Sequence, residues 1–175
     1  LLGGGANGKS TLLNVLTKLM GDYAVNTAAS TLMASNQNHL GDDLVRLAGA
    51  RLITASETEH GQRFAEAKIK SLTGGDKVSA RPLYGSWVEF VPIGKRWLTT
   101  NNRPEIRGSD DGIWRRIREL PFSRNFSERE QDRELMATLV EELPGILNWA
   151  IKGCLLWQSE GLQAPDSVTE SVREY

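Results

Sequence analysis

Cysteine occurs once in the 175 residues, at Cys154, and histidine only twice, at His39 and His60. A single thiol excludes an internal disulfide, and so few unclustered ligands argue against a zinc site. Long apolar runs are also lacking. No stretch reaches the roughly 20 apolar residues that a membrane-spanning helix needs, and no charged leader followed by an apolar core opens the sequence. The expectation is a soluble intracellular protein with no membrane partner. Neither sign of charge dominates: 21 Lys and Arg against 22 Asp and Glu leave a net charge of −1. A polyanionic partner would therefore have to be met by a local patch. One is visible where Lys95, Arg96, Arg103, Arg107, Arg115, Arg116 and Arg118 crowd together, whereas residues 128–142 are largely acidic. Internal repeats and low-complexity stretches are missing too, and 39% hydrophobic with 25% charged residues suits one globular α/β domain with a real core.

What the sequence does have is glycine in one telling arrangement. Residues 3–11 read Gly-Gly-Gly-Ala-Asn-Gly-Lys-Ser-Thr, a full match to a glycine, four residues, then Gly-Lys-Ser. Such a loop cradles nucleotide phosphates, because backbone N–H groups curl around the anion where a Cβ would obstruct them. Gly3, Gly4, Gly5, Ala6, Asn7, Gly8, Lys9, Ser10 and Thr11 are the candidate nucleotide contacts. Lys9 is placed to reach the β/γ-phosphate oxygens and Ser10 to hold Mg²⁺, with the positive end of the following helix aimed at the anion. Leu12, Leu13, Val15, Leu16, Leu19 and Met20 give that helix its apolar face, and Gly21 its stop.

Further on, residues 42–48 suggest a short helix ending at Gly49, and residues 51–55 a buried strand followed at once by Glu57 and Glu59. A carboxylate at the end of a buried strand is where a phosphate-loop enzyme places its second Mg²⁺ contact and its water activator. Glu57 suits the metal side, and either acid suits the water. Residues 64–72 read as a helix stopped by Gly74 and Gly75. Residues 77–90 read as a hairpin with its tip at Pro82-Leu83-Tyr84-Gly85, where Arg81 offers a cation and Tyr84 a stacking ring. A strand running to Thr100 ends in Asn101, whose amide can donate and accept around a γ-phosphate or an attacking water. Arg115 and Arg116 follow, one of them a candidate arginine finger, before a further strand at residues 117–122. The tail reads as helices: one in residues 128–142, one starting at Pro144 with Ile146, Leu147, Ala150, Ile151, Cys154 and Leu155 on its buried face, and one after Ser167, which has capping-box spacing to Glu170. Trp149 and Trp157 are expected in core or interface packing.

The order of these motifs is more specific than any one alone. Gly-Ala-Asn-Gly-Lys-Ser-Thr-Leu-Leu-Asn, Thr-Ala-Ser-Glu, Lys-Ile-Lys-Ser-Leu-Thr-Gly-Gly-Asp with Ala-Arg-Pro-Leu-Tyr, Thr-Thr-Asn-Asn-Arg-Pro and Trp-Arg-Arg-Ile-Arg-Glu-Leu-Pro-Phe together resemble the superfamily 3 helicase domain of phage, plasmid and poxvirus-type primase-helicases. The resemblance covers residues 2–122, and the closing helices look like the segment that follows in the phage and plasmid branch. It implies an α/β fold of the AAA+-like P-loop NTPase type: a mainly parallel central sheet flanked by helices, with a β-hairpin insertion and a C-terminal helical segment. The implied domains are an ATPase core at 1–122 and a helical segment at 123–175. The implied activity is ATP hydrolysis with Mg²⁺ at the boundaries of a homo-oligomeric, usually hexameric, ring that moves 3′ to 5′ on single-stranded or forked DNA.

Carried over residue by residue, the resemblance gives Lys9 and Ser10 to the first motif, Glu57 to the acidic motif, Lys77, Arg81 and Tyr84 to the hairpin facing the channel, Asn101 to the sensor, and Arg116 to the finger, with Arg115 one residue away. Ser56 stands where many relatives have a second carboxylate. The resemblance also implies an upstream primase domain and the cytoplasm of a prokaryotic host, in a phage or plasmid setting. Because only Leu1 and Leu2 precede the loop, the sequence reads as part of a longer protein. Two other functions fit the phosphate loop: an ATP-switched initiator that does not unwind, and a small-molecule phosphotransferase.

Overall fold

The computed structural model describes residues 1–34, 41–56, 60–108 and 110–175. Its organising layer is a parallel sheet. Strand β2 (Leu52–Ser56) carries an apolar run, and Leu52, Ile53, Thr54 and Ala55 are all buried, the pattern of a strand covered on both faces. On one side it pairs with β1 (Ala24–Asn26), with Ala24 opposite Leu52 and Asn26 opposite Thr54. On the other it pairs with β5 (Lys95–Thr99), from Leu52 opposite Lys95 to Ser56 opposite Thr99. β1 is a strand that weak periodicity in residues 24–40 did not announce.

The layer continues past β5 through Leu1 and Leu2. Leu2 bridges Thr100 and Pro121, both in parallel. Its N–H donates to the Leu120 carbonyl at 3.0 Å, and its own carbonyl accepts from the Phe122 N–H at 2.7 Å. The strand expected at residues 117–122 is reduced to this bridge. Arg116 and Ile117 are instead held in turns, their N–H groups donating to Ile113 and Trp114.

Helix α1 (Lys9–Met20) follows the glycine loop as expected and buries Leu13 and Val15, and Gly21 ends it at φ 50°. α2 (Gly41–Val45) is short, and α3 (Glu66–Gly74) ends on Gly75 in the left-handed conformation. Strands β3 (Val78–Ala80) and β4 (Val88–Phe90) form the antiparallel hairpin, with Ser79 opposite Glu89. α4 (Asp111–Trp114) precedes the two arginines. Leu32, Met33, Phe64, Ile69, Leu72 and Ile113 make the main core cluster, and Leu47, Ala50 and Ile53 a second one.

The tail departs from its sequence pattern. Helix forms only at α5 (Leu135–Glu141), because residues 128–134 settle into turns. α6 (Leu143–Glu160) starts at Pro144 and is capped by Gly161 as expected, yet none of its residues is buried. Leu147, Ile151 and Leu155 are exposed, Trp149 and Trp157 are 70% and 55% exposed, and Cys154 is exposed as well. The apolar face expected to be covered is uncovered in this chain: within α6 only Leu143, Ile146 and Ala150 are partly buried, and every residue from Ile151 to Glu160 is exposed. α7 (Asp166–Arg173) returns to the core. There Arg103 pairs with the buried Glu119 through contacts of 2.7 to 3.2 Å, and Ser171 donates to the same carboxylate. Tyr175 packs edge-on against Trp114 and donates to the Pro104 carbonyl. No helix among the described residues is long and apolar enough to cross a membrane.

Candidate nucleotide site

Parallel strands place their carboxyl ends at one edge of the sheet, and open α/β folds bind ligands there. Three strand ends meet that edge: Leu2, followed by Gly3; Thr100, followed by Asn101; and Ser56, which lies beside Thr99. Glu57 and Glu59 themselves lie outside the described residues.

The loop between Leu2 and α1 is shaped by backbone that most residues avoid. Gly8 stands at φ 87° and Ala6 at φ 51°, both left-handed. Gly3 is packed too closely for any side chain: a Cβ there would lie 2.3 Å from the Phe122 carbonyl oxygen. Gly4 and Gly5 instead face open space and are exposed. The loop's back is stapled by the segment after Phe122. Asn7 donates to the Phe122 carbonyl at 3.0 Å, Asn125 donates to the Gly5 carbonyl at 2.8 Å, and the Phe126 N–H donates to the Ala6 carbonyl at 2.8 Å.

Lys9 is the hub. Its side chain is buried, and its ammonium donates to the carbonyls of Gly3 at 2.6 Å and Gly4 at 2.7 Å and to Asn7 Oδ1 at 3.0 Å. Asn101 Oδ1 completes the set at 3.5 Å. Burial lowers the Lys9 pKa from its ordinary value. Ser10 is exposed beside it at the start of α1, where first-turn N–H groups have no helical partner. A cation, a hydroxyl and free amides therefore converge on a loop whose outer glycines are open. That donor set fits a polyphosphate, and Ser10 offers one of the few protein oxygens that Mg²⁺ takes beside phosphates.

The remaining predicted residues make no hydrogen bond to this loop among the described residues. Lys77, Arg81 and Tyr84 are exposed on the hairpin, Tyr84 at 94% and with φ 61°, while Arg81 Nε donates to the Gly85 carbonyl at 3.0 Å. Arg116 is half-buried and held within its own chain: Nε donates to Thr73 Oγ1 at 2.9 Å and Nη1 donates to the Gly112 carbonyl. Arg115 is exposed and makes no side-chain bond among the described residues. A cavity of about 460 Å³ sits elsewhere, between Leu1, Trp97, Arg116 and Tyr175, and none of residues 3–11 lines it. Asn125 and Phe126 were not legible as site residues, because nothing in their local sequence says that they return to the loop.

Residues 1–116 match the Family of unknown function (DUF5906). The chain belongs to that family. This DUF5906 chain is 29% identical over 194 residues to a protein named "Putative helicase" from Acanthamoeba polyphaga mimivirus, a match covering 100% of the chain and 20% of the relative. It is also 29% identical over 130 residues to a "Putative helicase" of Frog virus 3, with 71% of the chain and 13% of the relative covered. A "Putative primase" of African swine fever virus is 26% identical over 120 residues, covering 67% and 12%. The chain thus spans a fifth or less of these relatives. All three are viral proteins, which supports a viral association in general and not the phage or plasmid setting in particular. Among solved structures, the apo C-terminal region of NrS-1 superposes with a TM-score of 0.58 at 16% identity, covering 82% of this chain and 33% of that one. The shared fold is a small mixed α/β arrangement with parallel and antiparallel sheets.

Proposed function

We propose that this DUF5906 chain is the ATP-hydrolysing motor segment of a viral replication protein of the primase-helicase kind, acting on single-stranded or forked DNA. The observation that carries this reading is the meeting of Lys9 and Asn101 across the sheet edge, inside a loop built from glycines and left-handed backbone. The names of the viral relatives support the nucleic-acid side of it.

In this reading the N–H groups and open glycines of residues 3–8 hold the phosphates, with Lys9 against the β/γ oxygens. Ser10 and Glu57 hold Mg²⁺, which neutralises charge on the phosphates. Glu57 or Glu59 orients the attacking water, and Asn101 reads the γ-phosphate. An arginine from a neighbouring copy completes the site. Arg115, exposed, suits that role better than Arg116, which is tied to Thr73 and Gly112. A shared site needs an assembly, and a hexameric ring is the form that the resemblance to superfamily 3 helicases implies. Lys77, Arg81 and Tyr84 on the projecting hairpin contact DNA backbone and bases.

The deciding measurement is the ATPase rate of the chain with and without single-stranded DNA. Stimulation by DNA supports the motor. ATP-dependent assembly without strand displacement would instead favour an initiator, and turnover that ignores DNA but follows a metabolite would favour a phosphotransferase.

A further inference from the structure

The hairpin tip is not a free loop; it is fastened to the start of α2. The Leu83 N–H donates to Asp42 Oδ1 at 2.5 Å. One residue earlier, Gly41 lies so close to the strand that a Cβ would stand 2.2 Å from the Arg81 carbonyl oxygen. Within the tip, the Gly85 N–H donates to the Pro82 carbonyl at 3.0 Å, and Arg81 Nε to the Gly85 carbonyl. Gly41 and Asp42 therefore fix where Arg81 and Tyr84 stand.

The next residue on α2 looks the other way. Asp43 Oδ2 accepts from Thr31 Oγ1 at 3.4 Å, and Thr31 Oγ1 shares a 3.0 Å hydrogen bond with Thr27 Oγ1. Both threonines are buried, Thr31 completely. The Thr27 N–H donates to the Thr54 carbonyl at 2.9 Å, two residues before β2 ends at the nucleotide edge. Hydrogen bonds run from β2 through Thr27 and Thr31 to Asp43, and the backbone between Asp43 and Asp42 completes the path to Leu83. Buried hydroxyls are costly unless satisfied, so this line has few alternative arrangements.

We propose that Asp42 is a positioning residue that sets the hairpin tip, and that the Thr27–Thr31–Asp43 line transmits displacement of the β2 end to it. The first half stands on geometry alone. The second rests on the nucleotide-site reading above, because it needs a ligand that moves the end of β2.

Residue-resolved amide hydrogen exchange on the whole chain tests both halves. Losing one acceptor shifts a local opening equilibrium about tenfold, so Asp42→Ala should speed Leu83 exchange by about that factor while leaving Ile53 unchanged. Asp42→Asn, which keeps an acceptor oxygen, should restore the wild-type rate. Unchanged Leu83 exchange in Asp42→Ala, or equal acceleration at Ile53, would overturn the positioning role.

For transmission, the probe is a non-hydrolysable ATP analogue with Mg²⁺. Binding should change Leu83 exchange in the wild type, and Thr31→Val should abolish that change while still binding the analogue. Asp43→Ala repeats the test should the buried valine impair folding. An analogue that binds without altering Leu83, or a response that survives both substitutions, would refute transmission. Failure of the analogue to bind would remove the nucleotide-site reading and transmission with it, leaving Asp42 judged by the first experiment.

Discussion

The ammonium of Lys9 lies 3.5 Å from the side-chain oxygen of Asn101, a residue 92 positions later in the chain. Two strand ends are thereby joined through one cation. Under the proposed function the two side chains have separable roles. Lys9→Ala should abolish measurable ATP turnover and weaken nucleotide binding. Asn101→Ala should lower kcat by about 10² while changing nucleotide affinity little, the pattern of a group that acts on developing charge. Steady-state kinetics with a direct binding titration separates the two, and equal loss of affinity in both variants would contradict the assignment.

If an arginine crosses between copies, two inactive variants should rescue each other. In an even mixture of Lys9→Ala and Arg115→Ala chains, about a quarter of random boundaries combine an intact lysine with an intact arginine, so about a quarter of wild-type turnover should return. Arg116→Ala should act differently, loosening the contacts with Thr73 and Gly112 inside its own chain. Its first sign should be a lower unfolding midpoint, not rescue on mixing.

The hairpin cations should behave as phosphate contacts. Lys77→Ala and Arg81→Ala should each weaken single-stranded DNA binding and flatten the slope of log affinity against log salt by about 0.7 to 1. Tyr84→Ala should leave the slope alone and cost about 1–3 kcal/mol through lost base stacking. Fluorescence anisotropy at several salt concentrations reads all three.

Glu119 is buried, with the Arg103 guanidinium and the Ser171 hydroxyl both turned on it. The same hydrogen bond raises the Arg103 pKa above its already high value, so the guanidinium stays charged at any working pH. Arg103→Ala should therefore destabilise the fold by about 3–5 kcal/mol, because it leaves a buried carboxylate without its partner. Urea unfolding measures the loss. A change below 1 kcal/mol would mean that α7 contributes little to the core.

On α6, Leu155→Gln and Trp157→Gln should each change the stability of this chain by less than about 0.5 kcal/mol, since neither side chain is buried. Equilibrium unfolding should show it. The apolar pattern alone would have led to a forecast several times larger.

That contrast shows what the sequence could convey. Local signals were read well where a short-range rule governs: Gly21, Gly75 and Gly161 end their helices, Pro144 opens α6, and the short β-type runs flanking the Pro82–Gly85 turn give the hairpin. The buried run of β2 showed itself by composition alone. β1 did not, because its three residues are held by pairing with β2 and not by any pattern of their own. The pairing of residues 117–122 was overestimated for the complementary reason: Ile117 packs into the core, and the one β-bridge among the described residues there is Pro121 to Leu2. At the site, the loop and Asn101 were legible by type and spacing. Asn125, Phe126 and Asp42 were not, since each acts through a contact with backbone distant in sequence, which leaves no trace in neighbouring residues.

The stapling of the glycine loop by Asn125 and Phe126 ties that loop to the stretch of chain that leads directly into the helical tail. Residues 127–134 alone separate Phe126 from α5, so a displacement of α5 has a short path to the carbonyls of Gly5 and Ala6. Under the proposed function, the hold on a triphosphate therefore depends on the entry to the tail, and cutting the chain after Phe122 would remove the bonds from Asn125 and Phe126 that back the cradle.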